Sequence, residues 1–150
     1  MKKSIFAVLL VIWMAFIFSM SSQNSEVSSN TSGGTIKMIL SATPKFTEQP
    51  EEVQENVVEN LQFITRKSAH FIEYMILSIF VTNVVNLYLN KKRSILITVI
   101  FVFLYACSDE FHQLFVQGRQ GSFRDVLIDT AGGIAAVIVK MLYNMFLKKR

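Results

Sequence analysis

Four long apolar runs dominate the sequence, at residues 4–20, 69–89, 94–113 and 125–147. A helix needs about 20 mostly apolar residues to cross the hydrocarbon core of a bilayer. Hydrophobic residues make up 51% of the 150 residues, with 13 phenylalanines among them, which is more than an ordinary soluble domain carries. The sequence therefore predicts one all-α domain, an integral membrane protein with four transmembrane helices.

Basic residues lie directly beside these runs. Lys2 and Lys3 precede the first run, residues 91–93 separate the second from the third, and residues 148–150 follow the last. Clusters of this kind mark the cytoplasmic side of a membrane, so both termini are predicted to be cytoplasmic. Because the basic clusters flank the apolar runs as topology signals do, the net charge of +4 does not indicate a nucleic-acid partner. A signal peptide is the alternative for the first run, but no Ala-x-Ala site follows it, so we favour a retained helix.

The segment between the first two runs, residues 21–68, is polar and is predicted to be a long extracytoplasmic loop. It contains both prolines of the chain, Pro44 and Pro50. Pro50 and the two glutamates after it are typical of a helix start. Apolar residues then recur at helical spacing from Val53 to Ile64. We expect an amphipathic helix on the membrane surface that leads into the second span.

Three polar segments, residues 66–74, 108–113 and 119–129, lie at the ends of the later runs and meet at the outer face in this topology. Ionisable groups in a membrane are costly to desolvate and usually serve a function. Residues three or four apart share a helix face, which places His70 beside Glu73. The candidates for chemistry are His70, Glu73, Asp109, Glu110, Asp125 and Asp129, and those for ligand binding are Arg66, Gln113, Arg119 and Arg124.

These residue types leave several kinds of chemistry open. Carboxylates buried near the interface can act as general acids or bases. The arginines can bind a phosphate or carboxylate through paired hydrogen bonds, which suits an anionic lipid at the headgroup layer. His-x-x-Glu and Asp-x-x-x-Asp supply ligand types for Mn, Zn or Mg, although neither is a strict metal signature. In a purely structural interpretation the groups pair with each other, for instance Arg66 with Asp125 or Arg124 with Glu110.

The polar motifs also carry a family resemblance. Residues 66–74, 109–113 and 118–129, the glycines at 132–133, and residues 13–23 at the end of the first run resemble VanZ-like membrane proteins over essentially the whole chain. The resemblance implies a four-helix protein of a bacterial cytoplasmic membrane, in a Gram-positive cell envelope. The family takes its name from a member linked to resistance to teicoplanin and related lipoglycopeptides. The resemblance supplies no reaction and no cofactor.

Residues and resemblance together give one principal hypothesis. An outer-face polar pocket binds or modifies an envelope lipid or a lipid-linked cell-wall precursor, which would lower susceptibility to teicoplanin. In this hypothesis Glu73, Glu110 and Asp129 supply acid–base or metal-ligand chemistry. A non-catalytic interaction or scaffold module with structural polar residues is the first alternative. A small transporter subunit is the second, although four spans without repeats or broken helices make a poor carrier. The sequence leaves the ligand, a bound metal and the oligomeric state open.

Overall fold

The protein is all-helical, as the sequence predicts. The computed structural model describes residues 2–148, except the side chains of 2–4, 25–29, 31 and 148, and these residues contain no strand. Two of the three basic clusters on which the predicted orientation rests, at residues 2–3 and 148–150, have side chains outside that description. The helices are α1 (Lys2–Ser21), α2 (Ser25–Leu40), α3 (Pro44–Thr47), α4 (Glu51–Val85), α5 (Lys91–Gln113) and α6 (Phe123–Lys148).

Three of these helices are membrane-spanning by length and composition: α4, α5 and the part of α6 that ends at Leu147. Large apolar side chains point away from the bundle, among them Leu104 of α5, which is 59% exposed, and Ile138 of α6, which is 51% exposed. Lipid accommodates such a surface, whereas water does not. The chain is therefore a membrane protein. The apolar part of α1, Ile5–Ser21, is shorter, so the fourth predicted span stays a prediction.

The helices pack around a narrow apolar core. It includes Ile17 of α1, Leu77 of α4 and Val102 of α5, each at most 1% exposed. Glycines let the helices approach closely, because a Cβ on Gly132 of α6 would overlap the backbone of Phe71 on α4. This close contact sets α4 and α6 side by side at the level where the polar segments lie.

The segment predicted as an outer loop, residues 21–68, is largely helical: the sequence analysis predicted the helix after Pro50, and it did not anticipate α2 and α3. The predicted surface helix and second span form one continuous helix, α4, which begins directly after Pro50. Its 35 residues give a length of roughly 50 Å, against about 30 Å for the hydrocarbon core. The N-terminal part therefore extends beyond a bilayer of that thickness. There α2 packs on it, with Gly33 against Gln62 and Val58.

The remaining boundaries lie close to the predicted spans. α4 ends at Val85, before the predicted end of the second span at Leu89, and a turn follows. α5 then begins at Lys91, where the side-chain oxygen of Asn90 accepts a hydrogen bond from the backbone N–H of Arg93 at 3.1 Å. This capping interaction satisfies a backbone donor that a helix start leaves free.

Candidate functional site

One end of the bundle gathers acidic residues around a histidine. His70 and Glu73 come from α4, Asp109 from the last turns of α5 and Asp129 from the second turn of α6. The Nδ1 atom of His70 lies 3.8 Å from an oxygen of Glu73 and 4.0 Å from an oxygen of Asp129. His70, Asp109 and Asp129 each offer one ligand atom within 4.8 Å of the others. We call these four residues the His70 cluster.

The cluster is buried and incompletely paired. Asp129 is 1% exposed and Asp109 is 3% exposed. Within the described part of the chain, neither carboxylate oxygen of Asp129 has a hydrogen-bond partner, and Nδ1 of His70 has none either. Buried polar atoms in native proteins are nearly always paired. The cluster is therefore a place where a proton, a cation or a polar ligand group would be stabilised.

Asp109 is the most firmly held carboxylate of the cluster. Its Oδ2 atom accepts hydrogen bonds from the hydroxyl of Ser21 at 2.7 Å and from the side-chain amide of Gln113 at 3.1 Å. Ser21 is the last residue of α1, so this contact joins α1 to α5. Sequence reasoning did not assign Ser21 to the site. Its position in the segment 13–23, which carries part of the family resemblance, is the signal that points to it.

Glu110 faces the loop between α5 and α6. One oxygen accepts a hydrogen bond from the backbone N–H of Ser122 at 2.7 Å, and the other accepts one from Gln113 at 3.2 Å. Gly121 passes so close to the Glu110 carbonyl that a Cβ there would overlap it. Glu110 therefore positions the turn that leads into α6, and the Gln113 amide links it to Asp109.

An ion pair joins α4 to α6 beside the cluster. Lys67 donates a hydrogen bond to a carboxylate oxygen of Asp125, and both side chains are largely buried. The structural interpretation expected Arg66 in this pair, and the structure places its neighbour Lys67 there. That interpretation also paired Arg124 with Glu110, but Arg124 is exposed and Glu110 bonds to the loop instead.

Two cavities open at this end of the bundle. One, of about 170 Å³, is lined by Arg66, His70, Glu73 and Arg119, with Met20, Gln62 and other residues completing its wall. The second, of about 240 Å³, is lined by Arg66, His70 and Arg119 again, now together with Lys67, Gln113 and Asp125. Arg124 belongs to neither lining. Two arginines and one histidine therefore face both cavities.

Arg119 is fixed by backbone carbonyls. Its Nε atom donates to the carbonyl of Gln23 at 2.9 Å, and its Nη2 atom donates to that of Met20 at 3.2 Å. Burial, followed by the nearby Arg66, lowers the pKa of Arg119 from its usual value, while the carboxylates of the site act to raise it. Arginine starts far above neutrality, so the side chain stays charged. Together with Arg66, the charged guanidinium group of Arg119 can attract an anion into the cavities that both arginines line.

α1 is held over the site by hydrogen bonds and ring contacts. The indole N–H of Trp13 donates to the carbonyl of Glu73 at 2.9 Å. His112 stacks on Phe18 and lies 3.1 Å from the hydroxyl of Ser22. His112 therefore packs against α1 and stays outside the His70 cluster.

The family follows from comparison with known proteins. A model of the VanZ/LLP1 family matches residues 6–146, nearly the whole chain. The chain belongs to the VanZ/LLP1 family. No curated protein and no solved structure matches it. Family membership confirms the resemblance found in the sequence, and the chemical role of each site residue stays a prediction.

In this VanZ/LLP1 protein all the predicted site residues except Arg124 lie in or beside the His70 cluster. The His70 cluster holds four of the predicted chemical groups, and Gln113 connects it to Glu110. Arg66 and Arg119 line the cavities beside it, and Asp125 is paired with Lys67. Arg124 is exposed and lines neither cavity. Arg66 and Arg119 line the same cavity as His70 and Glu73, so the arrangement can bind an anion next to groups able to exchange a proton.

Proposed function

We propose that this VanZ/LLP1 protein binds the anionic headgroup of an envelope lipid or a lipid-linked cell-wall precursor in the cavities beside the His70 cluster. The observation that carries the proposal is that Arg66 and Arg119 line both cavities at one end of three apolar helices. Guanidinium groups bind phosphate in a geometry that an ammonium cannot match. In the predicted orientation this end faces the outer leaflet of a bacterial cytoplasmic membrane.

The position of the cavities suits a lipid ligand. The surfaces of α4 and α6 that border this end carry exposed apolar side chains such as Ile72, 53% exposed, and Leu127, also 53% exposed. Acyl or polyprenyl chains would pack against such surfaces while the headgroup enters between the arginines. His70 and Glu73 lie on the wall of the smaller cavity, so they are the groups that would exchange a proton with a bound headgroup.

Lipid binding by the purified protein in detergent tests this proposal. Native mass spectrometry would compare phosphatidylglycerol and undecaprenyl phosphate with phosphatidylcholine. We expect the wild type to retain the anionic lipids, and Arg66→Gln to bind them at least about tenfold more weakly, since a hydrogen bond to a charged group contributes on the order of 1.5–3 kcal/mol.

Arg124→Gln is the matched control, because this arginine is exposed and lies outside both cavity linings. It should bind the anionic lipids as the wild type does. Equal losses in both variants would mean that surface charge alone attracts the lipid. Wild-type affinity in Arg66→Gln would contradict the proposal outright.

Lower susceptibility to teicoplanin is the cellular consequence that we propose. A Gram-positive host would express the wild type, Arg66→Gln or Arg124→Gln at equal membrane levels, checked by immunoblot. We expect the wild type and the control to lower susceptibility and Arg66→Gln to lose this effect. Unchanged susceptibility with the wild type, despite lipid binding in detergent, would separate the lipid function from resistance.

A scaffold function is the second candidate, and one set of observations favours it. Lys67 pairs with Asp125, and Glu110 bonds to the backbone of the loop before α6. Some of the predicted site residues and their neighbours therefore hold the helices together. In that case substitutions in the cavity would lower the amount of folded protein and leave lipid affinity per folded molecule unchanged. The lipid-binding assay and a gel-filtration profile of the same samples separate the two candidates.

A further inference from the structure

We propose that the His70 cluster is a binding site for a divalent transition-metal ion, with His70, Asp109 and Asp129 as its protein ligands. The inference does not depend on the lipid function, because it rests on the cluster alone. Three separate helices, α4, α5 and α6, each contribute one ligand.

The distances fit a shared ion. Two ligand atoms bound at about 2.1 Å to the same ion lie about 3.0 Å apart at neighbouring octahedral positions and about 3.4 Å apart in a tetrahedral site. His70 Nδ1 and the Asp129 oxygen are 4.0 Å apart, so binding one ion would bring them closer by about 0.6–1.0 Å. The three-residue group spans at most 4.8 Å, and small side-chain rotations of Asp109 or Asp129 would close the remainder. One imidazole and two carboxylates suit Zn²⁺ or Mn²⁺ in particular.

The unpaired atoms point to a cation in the same place. Asp129 is 1% exposed, and neither of its oxygens finds a hydrogen-bond donor among the residues that the structure describes. The Nδ1 atom of His70 is likewise unpaired in that part of the chain. Two cationic side chains near the cluster donate elsewhere: Lys67 bonds to Asp125, and Arg119 bonds to backbone carbonyls. A divalent ion would satisfy the carboxylate and the imidazole together.

The surroundings have two further features of a metal site. Asp109 is oriented by Ser21 and Gln113, as outer hydrogen-bond partners orient metal-ligating carboxylates. In addition, His70 and Glu73 line the cavity of about 170 Å³. Glu73 lies 3.8 Å from His70 Nδ1, within reach of the same ion. The ion would thus have protein ligands on its buried side and an open side for water or an anionic oxygen.

Metal content of the full chain in detergent tests the site. The purified protein would be stripped with a chelator, incubated separately with Zn²⁺ or Mn²⁺, desalted and analysed by inductively coupled plasma mass spectrometry. We expect the wild type to retain about one ion per chain with at least one of the two metals. We expect Asp129→Asn to retain none. Asp125→Asn is the matched control, since its carboxylate pairs with Lys67 and should not be needed for the ion.

A milder variant protects the test against misfolding. Ser21→Ala keeps every proposed ligand and removes one hydrogen bond that orients Asp109, so we expect metal affinity to fall about tenfold while the protein, at slightly lower stability, still folds. A wild type that retains neither metal, or an Asp129→Asn protein that retains as much as the wild type, would overturn the proposal. A wild type that retains metal but does not bind the anionic lipids would instead count against the proposed lipid function alone.

Discussion

Buried polar groups are hydrogen-bonded at one end of the bundle and partly unpaired at the other. At the end opposite the cluster, Lys140 of α6 donates to the side-chain oxygen of Asn83 on α4 at 2.7 Å. Between the two ends, the hydroxyl of Ser78 on α4 donates to the backbone carbonyl of Gly133 on α6 at 2.8 Å. At the cluster, neither carboxylate oxygen of Asp129 nor the Nδ1 atom of His70 has such a partner among the described residues. Thr98 is also unpaired among the described residues, but an unpaired hydroxyl costs much less than an unpaired carboxylate.

This difference separates helix packing from ligand binding. A polar group that bonds to a neighbouring helix stabilises the fold, and removing its partner should lower stability. A buried charge left without a partner raises the free energy of the folded state until a ligand or a proton arrives. Substitutions at the two ends should therefore change stability in different directions.

The largest expected loss lies between the two ends, where α4 and α6 touch. Gly132→Leu forces a side chain into the backbone of Phe71, so we expect destabilisation by about 3 kcal/mol or more and little folded protein. Ala131→Leu is the control, because Ala131 is exposed on the same helix. Fluorescence-detected gel filtration from membranes measures both. Normal yield of Gly132→Leu would show that the helices can separate, and with them the ligands of the cluster.

A smaller loss is expected from the ion pair beside the cluster. Lys67→Met leaves Asp125 unpaired, and since the two side chains remain 22% and 19% exposed, we expect a loss of about 1–2 kcal/mol. Thermal unfolding in detergent checks this. The double variant Lys67→Met with Asp125→Leu should recover most of the loss. If the stability loss of the double variant equals the sum of the losses of the two single variants, the two residues do not act as a pair.

The smallest loss is expected from a hydrogen bond in the middle of the contact between α4 and α6. Ser78→Ala removes one hydrogen bond to the Gly133 carbonyl, which is worth about 0.5–1.5 kcal/mol. The thermal unfolding midpoint should fall slightly, and retention of phosphatidylglycerol should equal that of the wild type. Loss of lipid binding in this variant would mean that helix packing between α4 and α6 is coupled to the site.

The sequence predicted the class of fold and the convergence of the polar segments for clear physical reasons. Apolar length indicates helices that span a membrane, and consecutive spans return the chain to the same side. His70 and Glu73 share a face because three residues separate them along α4. These features depend only on helix geometry and topology.

Other features depended on packing that the sequence does not encode locally. Adjacent helical residues point about 100° apart, so whether Arg66 or Lys67 meets Asp125 is decided by how α4 rotates against α6. The same rotation turns Arg124 outward. The helix α2 was missed because its serines, threonines and glycines have low helix propensity, and packing of Gly33 against α4 compensates for that.

The central claim is that the His70 cluster is arranged for a ligand and not for stability. The most direct test is thermal unfolding of chelator-treated wild type and Asp129→Asn in the same detergent, each with and without added Zn²⁺ or Mn²⁺. An uncharged amide removes a buried charge and can donate to Asp109, so we predict that the chelated variant unfolds at the same temperature as the wild type or higher. We also predict that added metal stabilises only the wild type. A chelated Asp129→Asn protein that is less stable by as much as Lys67→Met, with no metal effect on the wild type, would show that the cluster is structural and contradict the account.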